Sequence, residues 1–219
     1  ATYQDARFLL SFSLVANIES NRDKDPNWWN IYGLGLIGKI EGLVYPKFEQ
    51  VDVLPLGAVF YGLDFGFTTD PAVLVANVII GGNLYSRELF YEHGLTNDDI
   101  GRKMTLLGVQ GPIYADSAEP KSIEELCRKG FNVQPSEKGP GSVEYGHQRV
   151  NQYYQFWTKD SVNCIKEQRN FRYMKNIQGQ LTDRTTHEFS HGMDARRYRV
   201  ANYKQFSRPI EGSMRYASA

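Results

Sequence analysis

Three aspartates far apart in the chain, Asp64, Asp116 and Asp194, are the residues whose surroundings suit chemistry. Asp64 lies in Tyr61-Gly62-Leu63-Asp64-Phe65-Gly66. Strand alternation puts Leu63 and Phe65 on one face and Gly62, Asp64 and Gly66 on the other. Acids are depleted in strands, and glycines on either side of this one leave room for a substrate. Asp116 repeats the arrangement. Ile113 and Ala115 face one way, Tyr114 and Asp116 the other, at the C-terminal end of a short strand, where open α/β sheets place their sites. Asp194 lies in Ser190-His191-Gly192-Met193-Asp194-Ala195-Arg196-Arg197-Tyr198. A helix there puts His191 and Asp194 on one face, three residues apart. Taken singly, Asp64 and Asp116 read equally well as turn or capping residues. Asp194 reads equally well as an acid complementing the dipole of a helix capped by Ser190, with Tyr198 and Ala201 as core contacts.

The elements that must carry these residues follow from pattern. Val59 to Phe65 and Pro71 to Ile80 are β-prone, and Gly81-Gly82-Asn83 turns the chain into a third strand from Leu84 to Tyr91. Short loops between them make an antiparallel meander. Thr96 predicts an N-cap for a helix to about Leu107, with Asp98 and Asp99 in its first turn. A strand at Pro112–Asp116, a helix at Ser122–Lys129 closed by Gly130, and a strand at Phe131–Pro135 favour parallel pairing. A long helix is expected from about Ser142 to Trp157, and a last one from near Ser190 to about Tyr203. The sum is an α/β fold with a mixed sheet of five strands, three antiparallel and then two parallel, flanked by helices. Residues 1–55 differ: a polar helix-like run, the breaker Asp25-Pro26-Asn27, an aromatic cluster at Trp28, Trp29 and Tyr32, then Leu43-Val44-Tyr45-Pro46.

Composition narrows the class. The net charge is zero, but residues 1–120 carry 8 Lys/Arg against 15 Asp/Glu and residues 121–219 carry 17 against 10. An acidic half beside a basic half suits a protein that holds cations at one place and phosphates at another. Cys127 and Cys164 can form neither a disulfide framework nor a CxxC metal knuckle. No segment reaches the apolar length of a membrane span, and the start lacks the profile of a secretory signal. Its lack of Met suggests a piece of a longer, cytosolic protein. Gly33 to Gly38 has dinucleotide-fingerprint spacing, and Gly33 to Lys39 most of a phosphate-binding P-loop. Ile40 stands where the P-loop needs a Ser or Thr, and no convincing strand precedes either motif. A flexible connection is the better reading, without ATP hydrolysis.

Taken together, the motifs resemble those of phage terminase large subunits in their C-terminal nuclease domain. The resemblance runs through Tyr61 to Phe67 with Asp70-Pro71, Ala115 to Ser122, Lys138-Gly139-Pro140-Gly141-Ser142 and His191 to Tyr198. Tyr3-Gln4-Asp5, Trp28 to Gly35 and Leu43 to Pro46 look like the end of that family's ATPase domain and its linker, so 1–55 are assigned there and 56–219 to the nuclease domain. Ser190 and His187 depart from the family pattern, which commonly has Asn or Asp at the first position and an acid at the second.

The resemblance implies an RNase H-like fold, with Asp64, Asp116 and Asp194 converging to bind Mg²⁺ or Mn²⁺. Carboxylates suit these hard ions, which take oxygen ligands and keep waters. Two ions about 4 Å apart activate water and stabilise a departing 3′ oxygen. On this reading Asp64 bridges the ions, and His191 is a ligand, a group that positions water, or a hydrogen-bond partner of Asp194. Asp70 and Glu119 lie near the site and support loops rather than bind metal, and His93 and His147 are structural. Lys138 contacts phosphate, Arg197 pairs with an internal acid, and Arg196 and Arg199 face DNA. The implied activity is endonucleolytic cutting of concatemeric double-stranded viral DNA during genome packaging. The implied partners are the portal protein and the small terminase subunit, and the implied location is the host cytoplasm, docked transiently on the procapsid and absent from the mature virion. The rivals are another RNase H-like nuclease of resolvase or transposase type and a non-catalytic DNA-docking module.

Overall fold

Alternating β-branched and aromatic residues from Val59 onward give the chain a strand-rich middle, and short glycine turns between the runs let neighbouring strands pair. The computed structural model describes residues 3, 5–20, 22, 29, 33–34, 41–66 and 69–201. Its first elements are a single 3-10 turn (Arg7–Leu9), α1 (Phe12–Ser20) and β1 (Glu49–Val51). The meander follows as β2 (Val59–Asp64), β3 (Pro71–Ile80) and β4 (Asn83–His93). Next come α2 (Asn97–Leu106), β5 (Pro112–Ala115), α3 (Pro120–Arg128) and β6 (Asn132–Pro135). The last third holds α4 (Ser142–Asn151), β7 (Tyr154–Thr158), α5 (Val162–Asn170), β8 (Tyr173–Lys175), β9 (Leu181–Thr185) and α6 (His191–Val200). The aromatic cluster at Trp28 and Tyr32, the Asp25–Asn27 breaker, most of the glycine-rich 33–40 stretch and the expected helix end near Tyr203 fall outside the described residues.

The chain divides into two compact units, one of residues 1–46 with 168–188 and one of 47–167 with 189–219. In the first, Val44 donates its N–H to Phe171 O (3.1 Å) and Gln168 donates to Tyr45 O (3.3 Å). Tyr45 packs on Phe171 with ring centroids 6.0 Å apart, and β8 and β9 form an antiparallel hairpin.

The second unit is built on a seven-stranded sheet in the order β1-β7-β4-β3-β2-β5-β6. β2, β3 and β4 are antiparallel; β5 and β6 run parallel to β2 on one side, β7 and β1 parallel to β4 on the other. The five expected strands are present, and β1 and β7 extend the sheet. The expected long helix over Ser142–Trp157 is corrected: α4 ends at Asn151, and Tyr154–Thr158 is strand. Sheet pairing overrides helical spacing here. Phe156 stacks on Tyr85 at 4.7 Å, and Trp157 is fully buried. Inside the meander a buried polar pair fixes register, with Ser86 Oγ donating to Asn77 Oδ1 at 2.8 Å.

One sheet face carries the main core, where Leu63, Leu74 and Ile113 meet Ile100 and Met104 of α2 and Leu126 of α3. Thr96 caps α2 as expected, in a capping box with Asp99. On the other face α6 lies across β2 and β3, with α4 beside it. Gly62 decides how closely: a Cβ there would stand 1.7 Å from the backbone oxygen of Ala195. Backbone cannot yield as a flexible side chain can, so α6 seats on β2 only where residue 62 has no side chain. Gly62→Ala is therefore expected to lower stability by at least about 1–3 kcal/mol, the usual cost of overpacking. A melting temperature equal to that of the parent chain would show that α6 is not seated this way.

Candidate metal centre

Asp64 ends β2 and Asp116 follows the last residue of β5, its parallel neighbour, so both acids leave the sheet at the same end. β3 begins there too, at Pro71, just after Asp70. α6 brings Asp194 and His191 down onto this end from above.

Asp64 Oδ1 accepts from the Gly66 N–H (3.2 Å), and its Oδ2 lies 3.3 Å from His191 Nδ1. Asp116 Oδ1 accepts from the Ala118 N–H (2.8 Å) and forms an ion pair with the Lys138 ammonium. Asp194 Oδ1 accepts from Arg197 Nη2 (2.7 Å) and Nε (3.1 Å). Tyr198, buried on α6, lies in the field of all three acids: burial, then the negative charges of Asp64, Asp194 and Asp116, push its phenol well above the ordinary pKa. Carboxylates at this end of the sheet offer oxygen donors of the kind that hard divalent cations take.

His191 sits between two of the acids. Its Nε2 is 3.7 Å from Asp70 Oδ1, opposite the Asp64 contact. From sequence a hydrogen bond to Asp194 is one reading of His191; the structure shows one to Asp64. Burial disfavours the imidazolium, but the hydrogen bond and charge of Asp64, with Glu167 and Asp70, outweigh it and raise the pKa above the ordinary histidine value. Asp70, expected near the site as a support for its loop, lies within 3.7 Å of His191. The meander carries the signal for it: a residue just before β3 must lie beside the end of β2.

Glu167, which sequence reasoning did not single out, lies buried beneath the start of α6. Its Oε2 accepts the Gly192 N–H at 2.6 Å and its Oε1 the Tyr91 hydroxyl at 2.9 Å. Ser190 makes no side-chain capping bond, so Glu167 satisfies the helix start in its place. A Cβ on Gly192 would meet Cys164 Sγ at 2.5 Å and Glu167 Oε2 at 2.9 Å. No local spacing marks Glu167, because it reaches α6 from 25 residues away.

The basic residues divide. Lys138 joins the site through Asp116 and Arg197 through Asp194, the internal pairing expected of Arg197. Arg199 is partly exposed, its guanidinium 4.5 Å from the Tyr114 ring centroid. Arg196, expected to face DNA, is corrected: it is 0% exposed and its guanidinium lies 4.9 Å from the Trp157 ring centroid. Met193, Arg196 and Val200 are all buried, so Arg196 falls on the stripe of α6 turned into the unit. His147 is buried as well, and burial with the nearby Arg197 charge brings its pKa down to about 4, leaving it neutral.

A mixed α/β sheet delivering three acids to one end is the architecture of the metal-dependent nucleases of RNase H-like fold. No family model matches the chain. It is 28% identical over 221 residues to the PBSX phage terminase large subunit of Bacillus subtilis, covering 93% of this chain and 50% of that protein. The chain therefore spans about half the length of this curated relative. The large-terminase nuclease domain of bacteriophage SPP1, solved with bound Mn, superposes with a TM-score of 0.59 at 26% identity, over 64% of this chain and 83% of that one. The large-terminase nuclease of thermophilic phage G20c, solved with bound magnesium, shares the fold at 17% identity with a TM-score of 0.56, over 76% of this chain and 100% of that one. The chain is thus similar to a curated phage terminase large subunit, and its fold is that of the large-terminase nuclease domains.

Glu167 gives the centre a pH signature. Burial raises its pKa to about 7, against hydrogen bonds and charges that lower it. The folded state then binds more protons than the unfolded one between an ordinary glutamate value and 7, so stability falls as pH rises through that window. Glu167→Gln should remove this slope, on the order of 3 kcal/mol. Melting temperatures of metal-free parent and variant between pH 5 and 8 measure it, and parallel curves would refute the assignment.

Proposed function

We propose that this chain is a metal-dependent endonuclease that cuts concatemeric double-stranded DNA during viral genome packaging. The carrying observation is that Asp64 and Asp116 leave adjacent parallel strands at one end of the sheet, while α6, which carries Asp194 and His191, packs across β2 with His191 on Asp64. Similarity to a terminase large subunit, and fold relatives solved with Mn and magnesium, support the same reading.

Asp64, Asp116 and Asp194 are the residues that would hold Mg²⁺ or Mn²⁺, with Asp64 shared between two ions. Such ions lower the pKa of a bound water and offset charge on a departing 3′ oxygen. The chain's own contribution is placement. α6 fixes Asp194 against the strand ends, and the Gly66 and Ala118 N–H groups orient the other two carboxylates. His191, held by Asp64 and Asp70, either completes the ligand set or positions water, and only its neutral form offers a lone pair. Lys138 and Arg199 supply positive charge for phosphates, so DNA binding is salt-sensitive and sequence-tolerant.

Residues 1–55 are proposed as the end of an ATPase domain and its linker, with the nuclease domain from 56 onward. The parent protein is then a packaging motor that meets the portal and the small terminase subunit in the host cytoplasm, docks transiently on the procapsid and is absent from the mature virion. No ATP hydrolysis is expected from this chain, since Ile40 breaks the P-loop pattern.

Asp64→Ala, Asp116→Ala and Asp194→Ala should each abolish plasmid cutting, by more than about a hundredfold, while the chain stays folded. EDTA should stop the parent chain, Mg²⁺ or Mn²⁺ should restore it, and ATP should change nothing. Parent-like cutting by any of the three variants removes that residue from the site. Metal-independent DNA binding without cleavage by the parent chain would favour the docking-module rival.

A further inference from the structure

Each of the three carboxylates already has a cationic or donor partner in the chain: Asp64 has His191, Asp116 has Lys138 and Asp194 has Arg197. A divalent ion entering the site must share the carboxylates with these groups or displace them. The three partners are not equally held. Arg197 is 11% exposed in its side chain and packs on α4 so closely that a Cβ on Gly146 would stand 2.8 Å from its Cγ and Cδ. The His191 side chain, also 11% exposed, is fixed between Asp64 and Asp70. Lys138 is 51% exposed, on the connection between β6 and α4. Gly139 and Gly141 follow it in open space, where an added Cβ would meet nothing within 4 Å. Of the three, Lys138 alone has the reach and room to swing away.

We propose that Lys138 is an exchangeable counter-ion: it neutralises Asp116 in the metal-free site, yields that carboxylate to an entering Mg²⁺ or Mn²⁺, and then presents its ammonium to a DNA phosphate. The exchange presupposes that the acids hold metal and that the substrate is DNA. Electrostatics drives it. The entering divalent ion binds Asp116 and repels the ammonium, while an arriving phosphate attracts it. An ammonium suits both posts, being a compact charge with three donors on a flexible stem. Metal and DNA binding are thereby coupled, because the ion liberates a phosphate ligand, and the coupling is reciprocal.

Lys138→Met, which keeps most of the stem and removes the charge, tests the exchange in the full 219-residue chain. Calorimetric titration with Mn²⁺ should give binding roughly two- to fivefold tighter than the parent, the scale of a half-exposed ion pair. Binding to a short duplex in Ca²⁺ should weaken, and its dependence on log salt should become shallower by about 0.9, one phosphate contact. Lys138→Arg, which keeps the charge, should retain the parent's salt slope. Unchanged or weaker Mn²⁺ binding by Lys138→Met overturns the exchange, as does an unaltered salt slope. A parent chain that takes up no Mn²⁺ overturns instead the metal-centre reading beneath it. Melting curves in EDTA confirm that the compared chains are folded.

Discussion

The approach of one helix backbone to one strand is the constraint on which the site depends. At Gly62 there is no room for a β-carbon, because the Ala195 carbonyl occupies its place. This proximity lets α6 lower His191 and Asp194 onto the ends of β2 and β5. A helix standing off by a side-chain layer would carry Asp194 that much further from the strand ends. The glycines around Asp64 thus do different work: Gly62 admits the helix, while Gly66, at φ 66°, turns the chain away and offers its N–H to the carboxylate.

Bringing acids together costs energy, and the structure meets that cost with a cation or donor on each. Lys138 comes from the connection between β6 and α4, and His191 and Arg197 from α6, so the charge balance of the site is a tertiary property. Part of it follows the split of the sequence into an acidic first part and a basic second part. Asp64, Asp70 and Asp116 precede residue 121; Lys138, His191 and Arg197 follow it. Not all the basic residues serve this end. Arg196, next in sequence to Arg197, is spent against Trp157 inside the unit.

How much was legible in the sequence follows from how local each signal was. β3 begins at Pro71 and ends at Ile80 as expected, because a proline and a glycine pair punctuate it. The Thr96 cap is legible for the same reason. β7 was misread because Ser142 to Trp157 carries apolar spacing that a helix tolerates, and only pairing with β4 makes its last part a strand. β1 is a three-residue edge strand, Glu49-Gln50-Val51, with no local signature; it exists because β7 does. The three acids could be picked out by their neighbours. Asp70 was placed near them by the meander, but Glu167 could not be, since its importance lies in what it faces after folding. Arg196 was misassigned because a cluster of arginines reads as surface until the buried stripe of its helix is known.

The bond from Gly192 to Glu167 has a consequence for how such a chain can change over evolutionary time. The chain leaves the larger unit after Glu167 and re-enters it at Phe189. Those two points are clasped by a 2.6 Å hydrogen bond across the neck of the excursion. Closing a flexible loop costs only about 0.6 kcal/mol more for each doubling of its length. With the neck held, the exposed turn between β8 and β9 can change in length while His191 and Asp194 keep their station. The rest of the excursion is tied down in its own unit, where Gln168 and Phe171 are buried and bonded to Tyr45 and Val44.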